Sequence, residues 1–272
     1  DDHKVPGIEK LRAIEIFSDL AAIAIQNAEL YDQLDCDRRK IELLLDLIGH
    51  DVNNYAQAVS GFIELSMQRK SVPEPSRKSL AKALDQVWNL NKLVNNVKIF
   101  AKVEAANGRD AKPMDLGDMV RDALEAAQSN FPSRKITVAF DDDGEPKTCM
   151  VSNLAKEIFV NILSNAIKFD QHEQVEIEVG IVPASIDKKD FWCVSIADNG
   201  PGIDDSLKEW IFERFTQAGK PGAKGSSGLG LHIARKLVTS YKGRIWVEDR
   251  VPGDRTRGSV FKVMLPKAPG SV

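Results

Sequence analysis

The sequence predicts an α+β, multidomain chain: a helical hairpin forming a dimeric four-helix bundle with a second copy, followed by an α/β sandwich. Three observations predict it. The first hundred residues carry an apolar heptad seam, with no proline between Pro6 and Pro73. The run SVPEPS (Ser71–Ser76) then breaks the pattern before a second helical stretch. After Pro113, strands and helices mix without strict alternation, the texture of one sheet covered by helices on one face.

The seam comes first. Ile16, Leu20, Ile23, Asn27, Leu30, Leu34, Asp37, Ile41, Leu44, Ile48, Asp51 and Tyr55 recur at alternating steps of four and three, which is a heptad repeat. One helix from Glu9 to Arg69 would be roughly 90 Å long at about 1.5 Å per residue. A domain of this size cannot bury such a helix alone, so a second copy is its natural partner. Asn27 and Asp37 at seam positions would fix register at some cost in stability. The second helical stretch has Leu80, Leu84, Val87, Leu90, Val94, Val97 and Ala101 on one stripe and stops near AANGRDAKP, where Gly and Pro end a helix. Two helices joined by a short loop make an antiparallel hairpin, and two hairpins make a four-helix bundle.

Beyond Pro113 the elements follow in order. DLGDMVRDALEAAQSNF reads as a helix opened by Asp115, and KITVAF as a strand. VSNLAKEIFVNILSNAIKF is a helix, VEIEVGIV and FWCVSIAD are strands, LGLHIARKLVTSY is a helix, and GRIWVED and GSVFKVMLP close the sheet. Between them, residues 199–230 are glycine-rich and poorly patterned. A loop of that length is usually a functional lid or a disordered segment.

Composition narrows the function. The 272 residues hold about two domains. A net charge of −3 without a dense Lys/Arg cluster lacks the electrostatic footprint of a nucleic-acid binder. Cys36, Cys149 and Cys193 stand too far apart for a zinc knuckle or redox pair and read as reduced cytosolic thiols. No apolar run is long enough to span a membrane, and the N-terminus lacks the form of a signal peptide. The opening DDHKVPGIEK reads as the continuation of an upstream segment, and the expected location is cytoplasmic.

Three stretches can carry chemistry. DNGPGI (Asp198–Ile203) ends a strand with an acid and sets two glycines around a proline. Such glycines let backbone approach a flat ligand, and the carboxylate can accept a hydrogen bond from an exocyclic amine; a plain turn is the alternative. GSSGLGLHIA (Gly225–Ala234) is a glycine run opening a helix, where backbone N–H groups bind phosphate. It fits neither the Rossmann nor the Walker A pattern, and a flexible loop is the alternative. In EIFVNILSNAIKF (Glu157–Phe169), Glu157, Asn161, Asn165 and Lys168 share one helix face, opposite Ile158, Phe159, Ile162 and Leu163. Asn side chains offer neutral oxygens to a hydrated Mg²⁺ and donors to phosphate, and a Lys adds a point charge; an exposed polar stripe is the alternative.

Together, in this order, the three stretches resemble the ATP-binding domain of sensor histidine kinases, within the GHKL superfamily that also holds gyrase B, Hsp90 and MutL. EIFVNILSNAIKF resembles the N box, DNGPGI the G1 box, IFERFTQ (Ile211–Gln217) the F box and GSSGLGL the G2 box, while LIGHDVNN resembles the H box of the dimerisation helix. The resemblance covers about Asp35 to Pro266, and residues 9–34 resemble the closing helix of a GAF sensory domain. It implies ATP and Mg²⁺ as cofactors. Asn161 would ligate the Mg²⁺, and Asn165 and Lys168 would lie near the phosphates. Asp198 would read the adenine amine, with Gly200 and Gly202 shaping that wall and Phe169 against the ring. Gly228 and Gly230 would cradle phosphate, with Gly225, Leu229 and Phe215 also among the ATP-binding residues, and residues 201–227 would be a lid anchored by Phe212 and Phe215.

The resemblance makes His50 the phosphoacceptor, because a neutral imidazole nitrogen can attack a γ-phosphoryl group in line. Asp51 would fix its tautomer and take up the developing proton; a seam acid that sets register is the alternative. Asn54, one turn on, would orient a water that hydrolyses a phosphorylated partner aspartate; a surface Asn is the alternative. The common H box continues Glu-Leu-Arg-Thr-Pro-Leu after the His, whereas this chain has Asp-Val-Asn-Asn-Tyr-Ala, so no proline kink is expected.

The implied layout is a GAF-like signalling helix over residues 1–34, a phosphotransfer hairpin over 35–106, a linker over 107–112 and the catalytic domain over 113–272. The implied partners are a second copy, a response-regulator receiver domain and an upstream sensory domain, with no nucleic acid and no membrane span in this chain. The expected function is a histidine kinase transmitter. The alternatives are a dimeric signalling scaffold that binds nucleotide without using it, and a clamp-type ATPase, for which a His on a bundle helix would have no purpose.

Overall fold

The computed structural model describes residues 7–69, 72–105, 111–132, 134–142, 144–187, 189–213 and 228–269. The chain divides into two compact units, Asp1–His50 and Asp51–Val272.

The first unit is helical. Helix α1 (Ile8–Gln68) begins in it and is unbroken through residue 34, where a domain boundary was expected. No proline interrupts it, and the run Leu47–Asn54 is continuous α-helix. Its seam residues Ile16, Leu20, Ile23, Leu30, Leu34, Ile41, Leu44 and Ile48 are each more than half exposed.

The second unit contains the end of α1, helix α2 (Glu74–Ala105) and an α/β domain. The Arg77 guanidinium reaches back to the Arg69 carbonyl at 3.4 Å, tying the start of α2 to the end of α1. One face of α2 holds the half-exposed Leu90, Leu93 and Val97, which belong to or flank the apolar stripe seen in the sequence. Another face buries Asn96, Ile99 and Val103, and Ile99 and Val103 belong to the hydrophobic core of the α/β domain.

The domain is built on a five-stranded sheet in the order β2-β4-β5-β7-β6, from strands β2 (Lys135–Asp141), β4 (Gln174–Ile186), β5 (Lys189–Ala197), β6 (Arg244–Val251) and β7 (Asp254–Pro266). The β2–β4 pair is parallel and the other pairs are antiparallel. Period-2 alternation sends Val175, Ile177 and Val179, Val194 and Ile196, and Phe261, Val263 and Leu265 into one core. Helices α3 (Leu116–Ser129), α4 (Lys156–Phe169) and α5 (Gly230–Ser240) fill the other side of it. Helix α3 is capped by Asp115, whose side chain accepts the Asp118 N–H at 2.9 Å. Helix α4 buries Ile158, Phe159, Ile162, Leu163 and Ile167, each worth about 1.5–3 kcal/mol when fully removed from water.

Two short strands were not foreseen. β1 (Lys112–Asp115) and β3 (Thr148–Val151) pair antiparallel, and β1 begins at Lys112, the last residue of the expected linker. The helix expected from Val151 therefore starts later. Val151 closes β3, Ser152 accepts the Leu154 N–H at 3.3 Å to open a 3₁₀ turn (Asn153–Ala155), and α4 follows from Lys156. Among the described residues no helix is long and apolar enough to cross a membrane.

Candidate functional site

A pocket opens where α4, the end of β5, the start of α5 and β7 converge, with α2 at its margin. Asn161, Asn165 and Phe169 line it from α4, Asp198 and Gly202 from the stretch after β5, and Gly228 and Gly230 from the approach to α5. The motifs that lie far apart in sequence meet because α4 and α5 pack side by side on one sheet face. Ile203, Ile211, Leu231 and Phe261 make its apolar wall, so a few polar groups converge on a largely apolar concavity, the usual form of a small-molecule site.

Asp198 is the buried acid of the site. Its backbone N–H donates to the Ser259 carbonyl at 2.9 Å, and its Oδ1 accepts from the N–H groups of Gly200 at 2.8 Å and Ser259 at 3.2 Å. Burial raises the Asp198 pKa, and those two N–H groups oppose the rise. Gly200 does not line the pocket; it acts behind it by holding this carboxylate. Gly202 has φ +71, and a Cβ there would overlap the Arg255 carbonyl, so only glycine permits this approach of backbone to backbone.

Asn161 is buried, with an exposure of 6 %, which rules out an exposed polar stripe at this position. Its Nδ2 donates to the Glu157 carbonyl one turn earlier at 2.8 Å, leaving Oδ1 as the atom for a ligand. A Cβ on Gly230 would collide with that Oδ1, so glycine is what lets the N-terminus of α5 close on Asn161. Burial also raises the Glu157 pKa.

Asn165 is half-buried in the pocket wall. Lys168 does not line the pocket; its Nζ lies 5.4 Å from the centroid of the Phe169 ring. Its pKa is pushed down to about 8, first by burial and then by the charge of Lys92. Phe169 is 45 % exposed at the pocket edge, available to a ring laid against it. Gly228 takes φ +64 ahead of α5, while Leu229 points into the core instead of the pocket.

Phe212 is buried edge-on to Phe261, with ring centroids 6.4 Å apart, and its carbonyl accepts from His232 Nδ1 at 3.0 Å. His232, placed on the last helix by the sequence, thus clamps the Trp210–Phe212 turn to α5. Phe215 and Gly225, with the rest of residues 214–227, lie outside the described residues. His50, Asp51 and Asn54 are all exposed on α1.

Three pocket residues outside every motif escaped the sequence reading. Ser259 and Phe261 come from β7, where the Ser259 backbone is hydrogen-bonded to Asp198, and Lys92 comes from α2. Each reaches the site only through long-range packing.

Residues 150–269 match the family described as histidine kinase-, DNA gyrase B-, and HSP90-like ATPase. The adaptive-response sensory kinase SasA of Synechocystis is 28% identical over 231 residues, which is 82% of this chain and 58% of that protein. The signal transduction histidine-protein kinase/phosphatase MprB of Mycobacterium avium is 28% identical over 277 residues, 98% of this chain and 51% of that protein. The structure of full-length ShkA in complex with AMPPNP superposes with a TM-score of 0.58 at 25% identity, covering 84% of this chain and 46% of that one. The chain thus spans little more than half the length of the two curated relatives. Residues 150–269 thus match an ATPase family behind two long helices, and the likeness to sensory kinases covers most of the chain.

Proposed function

We propose that this chain is the transmitter of a sensor histidine kinase, binding Mg-ATP in the pocket, phosphorylating His50 and passing the phosphoryl group to an aspartate of a response-regulator receiver domain. The observation that carries the reading is the pairing of two buried polar groups across one apolar pocket: Asp198, held by two backbone N–H groups, and Asn161, closed on by Gly230. An adenine offers an amine to a fixed carboxylate, and polyphosphate suits the start of α5, where backbone N–H groups are unpaired in the helix.

Each side chain then has a task. Asp198 orients the base and Phe169 covers its face. Gly228 and Gly230 leave room for phosphate oxygens, and Asn165 and Lys168 supply donors to them. Mg²⁺ fits the donor set, since Asn161 Oδ1 is a buried neutral oxygen. Among the described residues no group of three or more His, Cys, Asp or Glu could hold a metal alone, which suits an ion that keeps its waters and leans on substrate phosphates. Bound there, it would offset charge on the phosphoryl oxygens. On α1, His50 is the exposed nucleophile, Asp51 the group that sets its tautomer and takes its proton, and Asn54 the side chain that orients water for dephosphorylation. MprB, whose name carries both kinase and phosphatase, supports the last role.

The exposed seam on α1 supports a homodimer, with residues 1–34 as a GAF-like signalling helix from an upstream sensory domain, 35–106 as the phosphotransfer hairpin, 107–112 as the linker and 113–272 as the catalytic domain. The test is incubation with Mg-ATP labelled at the γ-phosphate, followed by acid and alkali treatment. A label stable to alkali, lost in acid and absent from His50→Gln is the expected result. Nucleotide binding without any label would replace the kinase with a signalling scaffold.

A further inference from the structure

Helix α2 belongs to the helical hairpin by sequence, yet one of its faces is anchored on the α/β domain at two places. Near its middle, the Trp88 ring lies 6.2 Å from Phe131, just past α3. Three turns on, Ile99 and Val103 enter the core, and Phe100 stacks 6.1 Å from His232 with Lys236 Nζ 5.9 Å from its ring. Trp88, Lys92, Asn96, Ile99 and Val103 fall at successive steps of four, four, three and four, so they form one helical stripe. Lys92 therefore sits between the anchors, and it lines the pocket beside Asn161, Asn165 and Phe169.

Its surroundings suit an anion. The Lys92 ammonium lies 5.5 Å from the Trp88 ring centroid, and among the described residues no carboxylate pairs with it. Its neighbour in charge is Lys168, a second cation at the same end of α4. Burial lowers the pKa of both lysines below the ordinary value, and the charge of Lys92 lowers that of Lys168 further. A polyphosphate would relieve both.

We propose that Lys92 is a nucleotide-binding residue donated to the ATP pocket by the helical hairpin, contacting the phosphates of the bound nucleotide so that occupancy of the pocket and docking of α2 are coupled. The proposal rests on reading the pocket as a nucleotide site. Coupling of this kind is reciprocal: docked α2 raises nucleotide affinity, and nucleotide holds α2 in place by the same factor.

The experiment is calorimetric titration of the full chain with ATP, ADP and adenosine in the presence of Mg²⁺, for wild type, Lys92→Ala and Lys92→Arg. Losing a charge-assisted contact should weaken ATP and ADP binding about tenfold in Lys92→Ala. Adenosine, which has no phosphate, should bind all three proteins alike, and Lys92→Arg should recover most of the ATP affinity. Hydrogen exchange supplies the second readout: ADP should slow exchange across residues 88–103 in wild type and not in Lys92→Ala. Equal ATP affinity in wild type and Lys92→Ala overturns the proposal while the pocket reading stands. Equal loss for adenosine and ATP also overturns it, by making Lys92 a packing residue. A wild-type chain that binds neither ATP nor ADP overturns this proposal and the pocket reading together.

Discussion

Gly230 begins α5 flush against the side chain of Asn161: a Cβ there would overlap the amide oxygen and stand 3.1 Å from its carbon. The contact joins two motifs about seventy residues apart, and it sets the floor of the pocket. Gly230→Ala should therefore separate binding from stability. Alanine is the better helix former by about 1 kcal/mol, which offsets the crowding against Asn161, so the melting temperature should hardly move. The displaced Asn161 amide should weaken ATP binding about tenfold or more. Calorimetry alongside a thermal melt checks both; full affinity in the variant would mean that Asn161 does not position the ligand.

Asp198 is buried at a cost to the fold, and on the proposed reading its carboxylate meets the ligand. Asp198→Asn keeps an oxygen for the Gly200 and Ser259 N–H groups but offers the ligand a donor where it needs an acceptor. ATP affinity should fall roughly ten- to hundredfold, the loss of a hydrogen bond to a buried charge. The raised pKa fixes the sign of the stability effect. The folded state holds its proton longer than the unfolded one, so stability falls as pH rises from the ordinary carboxyl value through the folded pKa. The variant should thus melt as high as wild type or higher at neutral pH, with the gap shrinking toward acid. A variant that melts well below wild type at neutral pH would contradict this.

The legible parts of the site were those whose chemistry is local. Asn161 and Asn165 could be found because two amides at one helical spacing contradict both a core face and a cheap solvated face. Asp198 could be found because an acid at a strand end before glycines is a local arrangement. Lys92 was hidden: Lys92 and Asn96 make the docking face of α2 look like solvent-facing helix, while Leu90 and Val97 on another face draw the eye to the bundle. The sequence predicts a helix from Val151, whose apolar pattern continues into Leu154 and Ile158. Ser152, which caps the following turn, was the signal to stop. Strands β1 and β3 are four residues each, too short to show a period of two, and depend on pairing with each other.

Gly202 should be intolerant for a reason unrelated to ligand. Its φ of +71 disfavours any side chain, and a Cβ would strike the Arg255 carbonyl, which cannot swing away as a side-chain tip could. Gly202→Ala should cost about 2 kcal/mol or more, lowering the melting temperature by roughly 4–8 °C in a domain of this size. A melt within a degree of wild type would show that the turn after Pro201 can shift freely.

Asn54 lies exposed on α1, one turn beyond His50. If it orients water and takes no part in attack on ATP, Asn54→Ala should incorporate label from γ-labelled ATP at the wild-type rate. The same variant should leave a phosphorylated receiver domain intact for much longer than wild type does. Loss of labelling in step with loss of dephosphorylation would instead make Asn54 part of the His50 environment.

On the proposed reading, Lys168 should give ATP binding a pH dependence near neutrality. Its pKa of about 8 means that the ammonium beside Phe169 is lost as pH rises past that point. ATP affinity should accordingly decline between about pH 7 and pH 9 in wild type, and Lys168→Met should bind more weakly at pH 7 with a flatter profile. Stability moves the opposite way. Between the folded value of about 8 and the ordinary 10.5, the unfolded chain binds the proton that the folded chain has released, so this lysine makes the fold more stable as pH rises through that window. Bound phosphate favours the charged form and should shift the ATP-saturated protein's stability profile upward in pH. Denaturant titrations at several pH values, with and without ATP, read both effects; a stability profile that ATP leaves unmoved would place Lys168 out of reach of the phosphates.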